Sequence, residues 1–371
     1  MEYPPLPRGA AQAHQARHLL AVPGDVVVDE LEVLAMSRFA ATRWDVTPAG
    51  SGPGDGAGAP QGPRAKGTAP GILRVSRHAT LTGPYAARGD GFDAGLPPGS
   101  AMVFDVVCHR ERGAPPFSIG DRDGVGRAFP QGLPEREEGR LVTWLVAVAR
   151  RLNGTLRVDV GGLWEPTASA GASPRPGTGV VLTPDPDAAV DLSVYSSVWL
   201  EPEAALATVR PLHSRTRLET EGVEWGGPPA GIADKPLYPG EKMDPEHRRK
   251  LHATAEEFDI AALRAPQVLH GYGLLIELGV DGIVAVEVAG EEHLPPVLRG
   301  LPWTADGAVR YRVHWEPTDQ IEANQEQPGM SHRVARKRAA ELVVRVAAAL
   351  HKAVGGEIAD EDEFLVDPAD L

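Results

Sequence analysis

The chain is almost free of cysteine, with Cys108 the only one among 371 residues. A single thiol cannot form an intrachain disulfide, and it cannot supply the set of thiolates that a structural zinc or iron–sulfur site requires. A reducing compartment suits such a chain, so we expect a cytoplasmic protein. The sequence predicts neither a metal nor any other cofactor.

Long apolar runs and positive charge are scarce as well. No stretch reaches the roughly 18 consecutive apolar residues that span a bilayer, and residues 1–10 lack the apolar core of a secretory signal. Lysine and arginine number 37 against 51 aspartates and glutamates, for a formal net charge of −14. Nucleic-acid binding depends on cations that displace counterions from phosphates, so we do not expect a nucleic acid as partner. Because no apolar run is long enough to span a bilayer, we do not expect a membrane as partner either.

Two segments lack the side chains that build a core. Residues 48–71 are rich in Gly and Pro, with no aliphatic residue larger than alanine, which predicts a disordered loop. Residues 166–188 have a similar composition and are predicted as a linker. Because the chain is longer than one core usually supports, we predict a first module at 1–165 and a second at 189–371.

The second module contains a predicted insertion and an acidic end. Residues 213–268 are predicted as the insertion, with a helix from about Asp244, because aspartate caps helices well and Pro245 suits the first helical position. From residue 357 onward the chain is a predicted acidic C-terminal tail.

The ends of the two modules resemble each other. Residues 141–152 and 343–354 both place apolar side chains at helical spacing, and each segment is followed by glycine and a short apolar segment. Segments typical of strands, 103–108 and 309–315, precede them. The pattern predicts a repeated β-α-β unit, the alternative being a chance likeness between two Ala/Val-rich helices.

Further strands are predicted at 72–76, 192–200, 270–278 and 282–288, with a hairpin turn at 279–281. Together these patterns predict an α+β fold of two tandem, duplicated modules of the ferredoxin-like kind, with helices on one face of mostly antiparallel sheets. That architecture carries many unrelated functions, so the fold alone predicts none.

The strongest candidate for a binding site is a basic segment at the start of the C-terminal helix. Its members are His332, Arg333, Arg336, Lys337 and Arg338. Permanent positive charge is unfavourable where the helix macrodipole is already positive, unless an anion is bound. We therefore predict a phosphate or carboxylate site here. The alternative is neutralisation by Glu322 and Glu326 or by the acidic tail.

Potential metal sites fail on spacing. His247 and His252 are five positions apart on the predicted helix, with Glu256 and Glu257 nearby, whereas a zinc-binding pair on a helix is four apart. Neither the acidic residues 357–363 nor residues 121–124 follow the ligand spacing of a calcium loop. We therefore predict a solvated acidic turn and a surface loop at these two places.

Catalytic motifs are lacking too. Cys108 lies in an apolar strand with His109 on the opposite face, which predicts an inert buried thiol. The chain has no G-x-S-x-G elbow and no phosphate-binding loop of either common type. Tryptophans at 164, 199 and 315 are followed closely by proline and predict strand ends, an exposed aromatic surface being the alternative.

These observations predict a non-catalytic cytoplasmic protein that binds a protein partner or a small anionic ligand between its two related modules. One alternative is an enzyme of an unrecognised family that acts on a phosphorylated or carboxylated metabolite. In that case Arg333, Arg336 and Arg338 form an anion clamp, and a carboxylate or histidine serves as acid and base. A third possibility is a structural module that self-associates through a sheet edge.

Overall fold

The computed structural model describes residues 3–7, 14–48, 69–87, 95–117, 120–161, 179–219, 243–264 and 270–371. This part of the chain forms two antiparallel sheets of seven strands each, together with seven α-helices. The α+β class predicted from the sequence is therefore confirmed. None of the described helices is both long enough and apolar enough to cross a membrane.

The first sheet belongs to the N-terminal half of the chain. Its elements in chain order are β1 (Gln15–Val22), α1 (Val28–Arg38), β2 (Arg43–Val46), β3 (Gly71–Arg74), β4 (Thr80–Ala86), β5 (Met102–His109), α2 (Val125–Ala128), α3 (Arg136–Arg151), β6 (Thr155–Asp159) and β7 (Gly179–Leu182). β7 lies inside the predicted linker at 166–188 and pairs with β6. Residues 166–178 of that linker, and residues 49–68 of the predicted disordered loop, lie outside the described residues.

The second sheet belongs to the C-terminal half. Its elements are β8 (Leu192–Ser196), α4 (Pro202–Val209), β9 (Thr216–Leu218), α5 (Pro245–Arg264), β10 (Gly271–Glu277), β11 (Ile283–Glu291), β12 (Ala308–Glu316), α6 (Gln320–Ala323), α7 (Met330–Val354), β13 (Glu357–Asp360) and β14 (Leu365–Val366). Within the predicted insertion, β9 pairs with β10 at the edge of this sheet. The predicted N-cap of α5 is confirmed, because the Asp244 carboxylate accepts hydrogen bonds from the amides of Glu246 and His247.

The two sheets have the same strand order. The first runs β2-β3-β4-β5-β1-β6-β7, and the second, read in the matching direction, runs β9-β10-β11-β12-β8-β13-β14. In both halves a helix follows the first strand, and a short and a long helix follow the fifth, α5 being extra in the second half. Leu141 precedes Thr155, the first residue of β6, by the same number of positions as Val343 precedes Glu357, the first residue of β13.

Each half has its own main core on the helix-covered face of its sheet. In the first half Leu31 of α1 and Leu145 of α3 are buried against Leu20 of β1 and Phe104 of β5. In the second half, residues of α4 and α7 are buried against the central strands, among them Val209, Val346, Tyr311 and Val286. These helices place one apolar stripe toward the sheet, as their spacing predicts.

One predicted strand is shorter than expected. The segment predicted at 192–200 leaves the sheet after Ser196, although Val198, Trp199 and Leu200 are apolar. The Tyr311 hydroxyl takes over the backbone hydrogen bonds there: it donates to the carbonyl of Val198 at 2.7 Å and accepts from the amide of Leu200 at 2.8 Å. A distant side chain thus replaces the neighbouring strand, which local sequence does not reveal.

The acidic residues near the C-terminus do not form the solvated turn predicted from the sequence. The segment 360–363, which we call the acidic turn, packs against the first half of the chain. Its ion pairs join Asp360 to Arg151, Glu361 to Arg122, Asp362 to Arg150 and Glu363 to Arg38. Phe364 follows the turn and is buried in the core of the first half. The turn therefore joins the two halves, which its composition alone did not indicate.

Candidate functional site

An open groove lies in the first half, where three segments meet. It has a volume of about 990 Å³ and is lined by the end of α1, the residues after β3 and the start of α3. The lining residues are Arg38, Phe39, Ala40, Ala41, Val75, Ser76, Pro134, Glu135, Arg136, Gly139, Arg140 and Thr143. Its size is at the upper end of the roughly 300–1,000 Å³ that small-molecule sites occupy.

The wall of the groove is apolar and is fixed by packing. Phe39 lies edge-on against the buried Trp144, with ring centroids 5.6 Å apart. The Trp144 indole in turn donates a hydrogen bond to the carbonyl of Leu34 at 2.9 Å. At Gly139 a Cβ atom would lie 2.8 Å from the carbonyl oxygen of Pro134, so glycine permits the residues before α3 to approach its first turn closely.

The rim of the groove carries three arginines and one glutamate, a surplus of positive charge in an acidic protein. Within the described part of the chain the exposed Arg140 makes no ion pair. The Arg136 guanidinium lies 3.8 Å from the Glu111 carboxylate and is largely exposed. Arg38 reaches the acidic turn, 3.1 Å from the Glu363 carboxylate. Arg136 and Arg140 are thus available to an anion in the groove.

The backbone at Arg136 is strained. Its φ is +49°, in the left-handed region that non-glycine residues rarely adopt. Such conformations cost about 1–3 kcal/mol and cluster at functional sites. Arg136 is the first residue of α3 and lines the groove.

A buried polar cluster anchors the start of α3. Glu138 is fully buried. Its carboxylate accepts a hydrogen bond from the Glu111 amide at 2.7 Å and forms an ion pair with Arg112. Its other oxygen lies 3.3 Å from Nε2 of the buried His18. Burial alone raises the pKa of Glu138, but the contacts with His18 and Arg112 outweigh it and hold the pKa below its usual value. Glu138 therefore holds α3, and with it the groove rim, against β1.

The same cluster has the composition of a metal site. Ligand atoms of His18, Cys108 and Glu138 all lie within 4.8 Å of one another, and all three residues are buried. However, the Asp159 amide donates a hydrogen bond to His18 Nδ1 at 3.2 Å. His18 therefore carries its proton on Nε2, facing Glu138, whereas a metal-bound histidine donates from its other ring nitrogen. His18 therefore lacks the hydrogen-bond donor at its other ring nitrogen that supports a metal-bound imidazole.

Cys108 is buried as predicted, with His109 exposed on the other side of the strand. Burial, reinforced by the negative charge of Glu138, raises the pKa of the Cys108 thiol to about 12. A thiol with this pKa is protonated near neutral pH and is a poor nucleophile.

The basic segment predicted as a binding site lies at the start of α7, in the other half. Arg336 is buried and pairs with Asp185 at 2.5 Å, and Arg338 lies 3.2 Å from the carboxylate of Asp281. His332 is buried, with its ring centroid 5.1 Å from that of Trp315. Burial lowers the pKa of His332, which makes it neutral near pH 7.

Neutralisation of the basic segment thus comes from unexpected carboxylates. Glu322 accepts a hydrogen bond from the Gly329 amide, and Glu326 pairs with Arg127 of the first half at 2.7 Å. The acidic tail contacts other arginines. Arg333 and Lys337 are exposed and, among the described residues, make no ion pair. Only these two of the five predicted residues stay available to an added anion.

The remaining candidates lie apart from the groove. His247 is exposed on α5, and the side chain of Glu256 lies outside the described residues. Trp315 is largely buried and donates to the Asp281 carbonyl at 2.7 Å, while Trp199 packs edge-on against Tyr272. Residue 164 lies outside the described part of the chain. The two described tryptophans therefore close strand ends and form no exposed aromatic surface.

Sequence reasoning did not find the groove, because its lining residues come from three separate segments. None of them carries a recognisable motif. Comparison with protein-family models, with curated proteins and with solved structures gave no match to this chain.

Proposed function

We propose that the protein binds a small molecule that has an anionic group and an apolar body, and that it does so in the groove at the start of α3. The observation that supports this most is the pairing of an apolar wall with the rim arginines Arg136 and Arg140. Arginine matches carboxylate and phosphate oxygens geometrically, and apolar side chains contribute burial energy for the rest of the ligand. The groove also borders the contact between the two halves through Arg38.

Isothermal titration calorimetry with matched probes tests both parts of the proposal. Octanoate and phenyl phosphate combine charge with an apolar body, octanol lacks the charge, and inorganic phosphate lacks the apolar body. We expect the first two to bind at least tenfold more tightly than the last two. Equal affinity for octanol and octanoate contradicts a role for the arginines.

A matched pair of variants locates the site. Arg140→Glu is expected to weaken binding of octanoate or phenyl phosphate at least tenfold. Arg345→Glu, which changes the charge equally at an exposed arginine of α7, is expected to leave affinity unchanged. Equal losses of affinity in the two variants would indicate a non-specific charge effect and would contradict binding in the groove.

The enzymatic alternative remains a prediction. If the protein acts on a phosphorylated or carboxylated metabolite at α7, Arg333 and Lys337 must hold its anion, because Arg336 and Arg338 already have carboxylate partners. Charge reversal at Arg333 should then abolish turnover and leave binding in the groove intact.

We also propose that the two halves arose by duplication of one ferredoxin-like unit. The shared strand order supports this, as does the equal spacing from Leu141 to Thr155 and from Val343 to Glu357. In each half the central four strands, β4-β5-β1-β6 and β11-β12-β8-β13, have the order of a ferredoxin-like sheet, and helices follow the first and third of these strands along the chain. The cytoplasmic location remains part of the proposal and rests on the single cysteine.

A further inference from the structure

Two helix faces expose apolar side chains. Basic residues flank the apolar side chains of one face, and acidic residues flank those of the other. Neither face belongs to the groove. One lies on α7 in the second half and the other on α1 in the first half.

The face on α7 is basic. Met330, Val334 and Lys337 are at helical spacing and point the same way. Met330 is 67% exposed and Val334 41%. The flanking Arg333 and Arg338 are exposed as well, and Arg338 lies 3.2 Å from the Asp281 carboxylate. We call these five residues the basic face.

The face on α1 is acidic. Asp29, Val33 and Met36 have the same spacing, and Val33 is 64% exposed and Met36 54%. Glu30 and Glu32 flank this stripe on its two sides, and among the described residues none of the three carboxylates makes an ion pair. We call these five residues the acidic face.

The two faces match in pattern as well as in charge. Each has two exposed apolar side chains three or four positions apart. The charged members of the basic face are all cationic and those of the acidic face are all anionic. On the basic face Arg333 precedes Val334 by one position, as Glu32 precedes Val33 on the acidic face. Both faces are exposed in the same molecule, so they do not cover each other within one chain.

We propose that a second copy of this chain is the partner of these surfaces, with the acidic face of one copy docked on the basic face of the next. The chain carries a negative net charge, so the basic face is a local exception to its surface. At about 0.15 M salt, interactions between charges more than about 8 Å apart are largely screened. The repulsion between two negatively charged copies is therefore weakened, whereas the attraction between the basic and acidic faces acts at contact. The proposal is independent of ligand binding in the groove.

The contact is small and its affinity is correspondingly low. A few exposed side chains on each helix bury less than the roughly 1,200 Å² of stable interfaces, so association is weak. A contact between different faces either closes into a ring or continues as an open chain. Self-association should therefore rise with protein concentration and fall with salt.

Sedimentation velocity on the full chain between roughly 10 and 500 µM tests the proposal in this weak-affinity range. The wild type is expected to form dimers and larger species that dissociate in high salt. Lys337→Glu and Glu32→Lys should each weaken self-association at least tenfold. Arg249→Glu, an equal charge change on the exposed surface of α5, should have no effect.

Mixing the two variants separates docking from misfolding. Lys337→Glu keeps an intact acidic face and Glu32→Lys keeps an intact basic face, so an equimolar mixture should associate more strongly than either variant alone. The chain with both substitutions, whose charges are exchanged, should recover part of the wild-type association. A wild type that stays monomeric throughout, or variants that associate like it, overturns the proposal.

Discussion

The guanidinium of Arg150, near the end of α3, forms an ion pair with the carboxylate of Asp362, 212 residues later in the chain. The same guanidinium contacts Asp123 at 2.7 Å and is only 4% exposed. Burial opposes the charged form of Arg150, but Asp362 and Asp123 raise its pKa all the same. This buried arginine thus joins the acidic turn to the first half of the chain.

Arg150→Gln should destabilise the protein strongly. The substitution leaves two carboxylates without their cation in a poorly solvated place, and such losses cost about 3–5 kcal/mol. Arg217→Gln breaks an exposed pair with Glu277 and should cost less than about 1 kcal/mol. Urea unfolding of both variants measures the difference. Equal stabilities of the two variants would show that the Arg150 contacts contribute little.

Unlike Arg150→Gln, Asp360→Asn should not destabilise the protein at pH 7. Burial raises the pKa of Asp360 despite its contact with Arg151, so the folded protein binds this proton more tightly than the unfolded chain. Stability from this group is therefore lost as the pH rises through the folded pKa. Asparagine keeps the acceptor used by the amides of Asp362 and Phe364.

We expect Asp360→Asn to be at least as stable as the wild type at pH 7, with an advantage that shrinks as the pH falls toward the ordinary pKa of aspartate. Unfolding by urea across pH 4–8 gives this difference. A variant that is less stable at pH 7 contradicts the assignment.

Glu138→Gln should be destabilising at neutral pH. The pKa of Glu138 is below its ordinary value of 4.5 in spite of burial, so its contribution is present above that value and is lost as the pH falls through the folded pKa. Removing the charge leaves Arg112 without its buried partner, which costs about 3 kcal/mol or more. The deficit should disappear in acid, and a deficit that is constant with pH excludes this origin.

Glu363→Gln should strengthen ligand binding in the groove. The carboxylate of Glu363 lies 3.1 Å from Arg38, which also lines the groove. Glu363 and the anionic group of a bound ligand therefore compete for the Arg38 guanidinium. Neutralising Glu363 leaves Arg38 available to the anionic group of the ligand. Calorimetry with octanoate measures the change, and Glu277→Gln, at an exposed glutamate away from the groove, is the matched control. An unchanged affinity would mean that Arg38 does not contact the ligand.

Local signals predicted the elements that depend on local sequence. The hairpin between β10 and β11, the cap at Asp244 and the glycine after α7 follow from residues a few positions apart. After α3 the left-handed residue is Asn153, one position before the predicted glycine. No element was predicted for residues 15–46, although β1 lies inside the first sheet, between β5 and β6. The polar His18 occupies a buried position in β1, and the buried residues then continue without alternation to Val22, so the strand pattern was obscured.

The candidate site was harder to predict for a related reason. Arg140 and Phe39 come together only because α1 and α3 pack on the same face of the sheet. The basic segment of α7 was conspicuous in the sequence, but Asp185 and Asp281 lie far from it along the chain. Charge density along a sequence therefore does not show which cations are already neutralised.

A crystal structure of the protein with phenyl phosphate tests the central claim most directly. The proposal predicts the phosphate between Arg136 and Arg140, with the ring against Phe39 and Val75. A phosphate bound at Arg333 and Lys337 instead, with an empty groove, would contradict the proposed site and favour the one predicted from the sequence.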